Sequence, residues 1–179
     1  MGHRRGFGGP ADTAVADAHC RNLAAGVHAG CLLRVVDFLA DHAQELVDSN
    51  GVDIGTIQTA HTDFATYMDF LQSYGARTFL ENGHIIGCAG IALLWDGVGE
   101  GWFMGSDGLQ KNRYSVIRYV RKMLLKHQEN GPLRRIHANV RADWPEALRF
   151  AEFLGFTKEG LLRKFGPDGK DYYVFGRVK

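Results

Sequence analysis

Between Gln110 and Arg135 the chain carries eight basic side chains, Lys111, Arg113, Arg118, Arg121, Lys122, Lys126, Arg134 and Arg135, against one acid, Glu129, a net +7. Such a patch suits phosphates, nucleic acid or an acidic partner, and equally forms the solvated face of a helix. Only Tyr114 and Tyr119 interleave it. Two rings are too few for a base-stacking platform, so nucleic acid is not the expected partner. Ten residues before Gln110 stands Glu100, with Asp96 a little upstream. A carboxylate can take a proton from an ammonium, directly or through water; the competing reading is a solvated turn residue after "DGVG". His137 and Asn139 fall on one face of "RRIHANVRA", where polar side chains either line a site or serve the structure. Tyr172 and Tyr173 offer phenols, one of which must face the core by alternation. His19, Cys20, His28 and Cys31 do not have the spacing of a standard zinc site, and no metal is expected.

These residues need elements to hold them. "CLLRVVDF" (31–38) is apolar and β-branched, a first strand. "DFLADHAQELVDSNG" follows, with Phe38, Leu39, His42, Leu46 and Val47 near helical spacing and Gly51 as the stop. A second helix is expected in "HTDFATYMDFLQSYG", capped by Asp63 and ended by Gly75. The period then changes to two. Asn82-Gly83 between apolar runs signals a hairpin, and three antiparallel strands are expected near 76–81, 84–95 and 100–105. "LQKNRYSVIRYVRKML" reads as a short loop running into a helix whose buried stripe is Val116, Ile117, Val120, Met123 and Leu124. "RRIHANVRA" is a strand. Asp143 is the expected N-cap of the next helix, with Glu146 completing a capping box, Pro145 in the first turn and Gly155 as the C-terminal cap. Two last strands flank Pro167-Asp168-Gly169. The order is β-α-α-β-β-β-α-β-α-β-β. It predicts an α+β domain with a mostly antiparallel sheet and one parallel strand–helix–strand crossover over 100–141.

A length of 179 residues suits one domain, with 45% hydrophobic and 23% charged residues and a net charge of +1. The longest apolar run, 85–95, is far short of the ~20 residues of a membrane-spanning helix. The three cysteines read as free thiols in a reducing compartment. Arg4 and Arg5 have no apolar run behind them, so 1–30 reads as a loosely ordered Gly/Ala-rich extension and not a signal peptide, with the domain over 31–179.

The C-terminal third carries a resemblance. In "VRADWPEALRFAEFLGFTKEGLLRKFGPDGKDYYVF", Val140, Ala147, Leu154, Gly155, Phe156, Glu159 and Gly160 match the closing strand–helix–hairpin of the GNAT acyltransferase superfamily. The chain resembles most the small GNAT-like proteins of bacteriophages, a group that includes internal virion proteins. The resemblance implies a GNAT-like fold and acetyl transfer from acetyl-CoA to an unknown amine. It implies Glu100 as base, while the family's acidic Tyr falls on Ala151 and its Asn on Trp144, so that Tyr172 or Tyr173 of the last hairpin, with Tyr172 the candidate, would have to take the place of the usual acid. It places Phe103, Met104 and Gly105, in the splayed strand 102–106, along the pantetheine, and Asn139 in the cofactor cleft. It aligns Gln110 with the first residue of the pyrophosphate loop, while Arg113 and Ser115 stand where small residues belong, and Asp107 adds a repelling charge. Lys111 and Arg113 would then hold the phosphates by charge. The alternative is a non-catalytic phage virion or assembly protein acting through protein contacts. The resemblance further implies a cytoplasmic or virion location, and such domains often form homodimers; the short apolar run already gave the expectation of no membrane.

Overall fold

The computed structural model describes residues 33–50, 63–72 and 75–179. The expected extension 1–30, the residues His19, Cys20, His28 and Cys31, the helix stop at Gly51 and most of the loop before Asp63 lie outside the described residues. Seven strands, β1 (Leu33–Asp37), β2 (Arg77–Glu81), β3 (His84–Trp95), β4 (Val98–Gly105), β5 (Arg135–Arg141), β6 (Thr157–Leu162) and β7 (Tyr172–Val178), form one sheet in the order β1-β2-β3-β4-β5-β7-β6. Four helices are described: α1 (Ala40–Asn50), α2 (Phe64–Gln72), α3 (Leu109–Glu129) and α4 (Pro145–Phe153). The β4–β5 pair is parallel and every other pair is antiparallel. The expected α+β order is therefore the observed one.

Two apolar layers sandwich the sheet. α1 and α2 bury Ala43, Leu46, Met68 and Leu71 against Cys88, Ala92, Trp102 and Met104. On the other face α3 buries Val116, Val120 and Leu124 at four-residue spacing, beside Ala151 of α4 and Leu154 at its C-cap, against Phe79, Ile136 and Phe175. Phe38 is buried ahead of α1, whereas Leu39 is exposed and lies off the expected stripe. A bulge between Phe79 and Leu80 of the β2–β3 register leaves Ile86 as the extra residue on β3. Its carbonyl takes the backbone N–H of Ser106 at 3.0 Å and the Ser106 hydroxyl at 3.3 Å, which anchors the end of β4.

Local chemistry explains the turns. Asn82 and Gly83 both have positive φ, 51° and 88°, as the two-residue hairpin turn requires. Asp63 caps α2 by accepting the Thr66 N–H at 2.9 Å. α4 ends in a Schellman motif: the Gly155 N–H reaches the Glu152 carbonyl at 2.9 Å, and the Phe156 N–H reaches the Ala151 carbonyl at 3.1 Å.

Three expectations are corrected. β4 starts at Val98, two residues early, because the turn is only Asp96-Gly97, with Gly97 at φ 75°. Glu100 is thus a strand residue and not a turn residue. Residues 110–115 are helical from the first turn of α3, with no loop. Asp143 does not cap α4. Its carboxylate is held by Arg141 at 2.9 Å and Lys170 at 3.4 Å, Trp144 takes the N-cap position, and Glu146 pairs with Arg149 and not with the cap. No helix among the described residues is long and apolar enough to cross a membrane.

Candidate functional site

The parallel ladder between β4 and β5 is short. It pairs Val98 with Arg135, Gly99 with Ile136 and Glu100 with His137, and stops there. β4 keeps β3 as its partner out to Gly105, and β5 keeps β7 out to Arg141. The two strands therefore diverge, and the backbone edge of 101–105 loses its strand partner on that side. A cleft of about 780 Å³ opens there, lined by Glu100 to Gly105 of β4, Ala138 to Arg141 of β5, the first turns of α3 and one face of α4. That volume falls within the range of small-molecule sites, roughly 300–1,000 Å³.

Glu100 sits at the apex of the divergence. Its carboxylate accepts a hydrogen bond from Asn139 Nδ2 at 3.1 Å, between neighbouring strands and on one face of the sheet. Tyr67 of α2 also lines the cleft. Burial, and after it the negative charge of Glu100, push the Tyr67 phenol above its ordinary value. At neutral pH that phenol remains a proton donor. Tyr67 was not singled out from the sequence, because it sits on the helix stripe that also supplies buried Met68 and Leu71; only tertiary packing lays it beside a strand residue. Tyr172 lines the cleft, is buried, and packs edge-on against Phe165 at 5.7 Å.

The remaining candidates divide. Phe103 lines the cleft and meets Phe150 of α4 at 4.7 Å, ring centre to ring centre. Met104 turns its side chain into the α1–α2 layer, and Gly105 closes the strand beside Leu109. Gln110 and Arg113 line the cleft; Lys111 and Ser115 are exposed and are not part of its wall. Tyr173 lies outside the wall too, under the Lys158 ammonium at 3.9 Å, and Asp96 is an exposed turn residue. His137 is half-buried, and Ala151, in the core beneath α4, offers no proton donor. The basic run disperses. Arg135 pairs with Glu159, Arg134 donates to the Asp96 carbonyl, and Arg118, Arg121, Lys122 and Lys126 stand exposed on α3. Among the described residues no cluster of three or more ligating side chains could hold a metal ion.

No protein-family model and no curated protein sequence matches the chain. Solved structures do. Ard1 from Thermoplasma volcanium superposes with a TM-score of 0.63 at 17% identity, over 82% of this chain and 97% of that one. A GNAT-family acetyltransferase from Bacillus anthracis gives 0.64 at 15%, over 85% and 97%. The Salmonella typhimurium protein yncA, solved with its cofactor acetyl-CoA, gives 0.61 at 14%, over 82% and 93%. The chain has the GNAT fold.

Within that fold the phosphate end is the unusual part. The Leu109 N–H bonds to the Ser106 carbonyl at 3.0 Å and the Gln110 N–H to the Asp107 carbonyl at 3.2 Å. A backbone phosphate site needs such first-turn donors unpaired. Here two are already taken by the chain itself. Asn112 is turned inward, where its Nδ2 donates to Glu81 at 3.0 Å.

Proposed function

We propose that the protein is an N-acyltransferase that takes acetyl-CoA as donor and a primary amine as acceptor. The observation that carries this reading is the divergence of β4 and β5 at Glu100, which sets a carboxylate at the closed end of a cleft edged by free strand backbone. The unpaired edge of 101–105 suits the amides of a pantetheine arm, which would lie there as a further strand does. Arg113 and Arg149 give the cleft positive charge at its outer walls. Structural neighbours solved with acetyl-CoA bound support this reading at the level of the fold.

The reaction needs little from the protein beyond position and proton handling. Glu100 takes the ammonium proton, and Asn139 holds the carboxylate in place. The amine nitrogen bonds to the thioester carbon as the carbon–sulfur bond breaks. The leaving thiolate takes a proton from Tyr172, since Ala151 has none to give, and the second proton shed by the nitrogen after attack restores the Tyr172 phenol.

A second reading is a GNAT-fold protein that works through protein contacts, as a phage virion or assembly component. Ala151 and the self-bonded first turn of α3 favour it. Calorimetric titration with acetyl-CoA, with CoA and ADP as controls, separates the two. Micromolar binding supports the acyltransferase; no heat up to millimolar donor overturns it and leaves the contact protein.

A further inference from the structure

α3 has a second face that the cleft does not use. Its buried side chains, Asn112, Val116, Val120, Leu124 and Gln128, repeat every four residues. At 3.6 residues per turn, Lys111, Arg118, Arg121, Lys122 and Lys126 fall within an arc of about 140° centred on the opposite side. All five are exposed, and none lines the cleft. Among the ion pairs identified for the described residues, none includes Lys111, Arg118, Arg121 or Lys122. The chain carries no acid from Gln110 to Gln128, and Glu129 is the last residue of the helix. From Lys111 to Lys126 the helix rises about 22 Å. The arc is thus a straight basic stripe with no counter-charge on its own element before Glu129.

We propose that this stripe binds the phosphate backbone of double-stranded nucleic acid without reading its sequence. The inference does not depend on the acyl-CoA reading, because the two surfaces share none of these five side chains. The composition of the stripe selects the partner. A protein interface needs a buried apolar or aromatic anchor and is poor in lysine. Tyr114, at the N-terminal edge of the arc, is its one large exposed ring, and its hydroxyl already takes a hydrogen bond from Arg113 Nη2 at 3.2 Å. A membrane-surface helix inserts its apolar face, but that face of α3 is packed into the core with Phe79, Ile136 and Phe175. Single strands are held largely by rings on which their bases stack, and the stripe offers no such platform. A duplex keeps its bases stacked and presents phosphates outwards. One strand carries a phosphate about every 3.4 Å of its axis, so a helix laid along it meets about as many phosphates as the stripe has cations. Arginine adds forked contacts to phosphate oxygens at positions 118 and 121.

The test is fluorescence anisotropy of a short labelled duplex DNA titrated with the full chain, at salt from about 50 to 200 mM. Binding is expected at the low end, with a log–log salt slope of about −4 for four to five phosphate contacts. A duplex of unrelated sequence should bind equally well. Arg118→Gln and Lys122→Gln, both exposed and checked for folding by thermal unfolding, should each make the slope shallower by about one and weaken binding about tenfold at 50 mM salt. Arg163→Gln, in the β6–β7 hairpin, is the charge control and should change neither. Excess acetyl-CoA at constant ionic strength should leave the duplex bound. No binding at the low salt overturns the proposal and leaves the acyltransferase reading standing. An equal loss from Arg163→Gln, or none from the two α3 variants, overturns the stripe as the site. Displacement by acetyl-CoA puts the duplex in the cleft and overturns it too. Phosphatidylserine vesicles or polyglutamate that compete with the duplex at equal charge reassign the stripe to a membrane or to an acidic protein, and either result overturns the nucleic-acid assignment.

Discussion

Gly90 and Trp102 are register partners across β3 and β4, and their contact is tight enough to predict a coupled pair of mutants. A methyl group added at Gly90 would stand 2.7 Å from Cζ2 and 2.8 Å from Cε2 of Trp102, and 2.8 Å from the Ala76 Cβ. Carbon atoms prefer about 3.5–4.0 Å. Neither neighbour yields easily. The Ala76 methyl moves only with its backbone, and Phe38 holds the indole edge-on at 5.2 Å. Gly90→Ala should therefore overpack the α1–α2 layer at a cost of about 1–3 kcal/mol. For a domain of this size each kcal/mol moves Tm by roughly 2–4 °C. Trp102→Phe removes the offending ring atoms and behaves differently. It loses buried apolar surface. It also removes Trp102 Nε1, a buried N–H with no partner among the described residues. Such an orphan costs about 1–3 kcal/mol, so the single change should nearly cancel, within about 1 kcal/mol. In the double variant the clash with the indole is gone, while the contact with the Ala76 Cβ remains. It should be more stable than the sum of the singles by at least ~1 kcal/mol. Denaturant unfolding of the four proteins measures this, with m-values as a check on two-state behaviour. Additive effects, with coupling below about 0.3 kcal/mol, would show that the contact is not the constraint described.

Other outcomes follow from the same contacts. Glu100→Gln keeps the shape at the apex and should slow turnover about 10²–10⁴-fold with an unaltered melting curve; unchanged turnover would remove Glu100 from the chemistry. Arg177 donates to Gln128 at 2.6 Å and to the Leu154 carbonyl at 2.7 Å, tying β7 to α3 and to the end of α4. Arg177→Met leaves buried Gln128 short of a partner and should cost about 1.5–3 kcal/mol in urea unfolding; a loss under about 0.5 kcal/mol would contradict the tie. Burial pushes the Cys88 thiol up to about 12, against about 8.5 when unfolded. The folded state keeps this proton longer, so the stabilisation is full below pH 8.5 and is lost as pH rises, by at most about 1.4 kcal/mol per unit. The pH dependence of unfolding above 8.5 should flatten in Cys88→Ala. With Cys20 and Cys31 changed to serine, the native chain should resist a thiol reagent at pH 8 until denaturant is added, and prompt labelling would contradict the burial.

The phosphate end separates what a sequence carries from what only folding decides. Period-two runs, Asn82-Gly83, and the glycine after Leu154 act over a few residues, so the strands, the hairpin turn and the end of α4 could be read directly. The closing motif from Val140 to Gly160 was legible for the same reason. The caps at Asp63 and Gly155 were legible too, whereas the start of α4 and the loop expected before α3 were not, because side chains and backbone there had competing partners. Asp143 has the right side chain for a cap, but Arg141, two residues before it, holds it at 2.9 Å, and Lys170, far along the chain, adds a second pull at 3.4 Å. "LQKNRYS" has no helix-stopping residue, and the chain simply wound it into α3, closing donors that the aligned motif leaves open. The site itself is wholly tertiary. Glu100, Asn139, Tyr67 and Tyr172 have no common spacing; they line one cleft because β4 and β5 pair for three residues and then part, and of them Asn139 bonds to Glu100. The sequence by itself determined the elements, their order and the side chains available for chemistry, since periodicity and turn preferences are local. Tertiary structure decided where the strands diverge, which phenols line the gap, and that Arg113 faces it while Lys111 does not, since those depend on register and packing between distant segments.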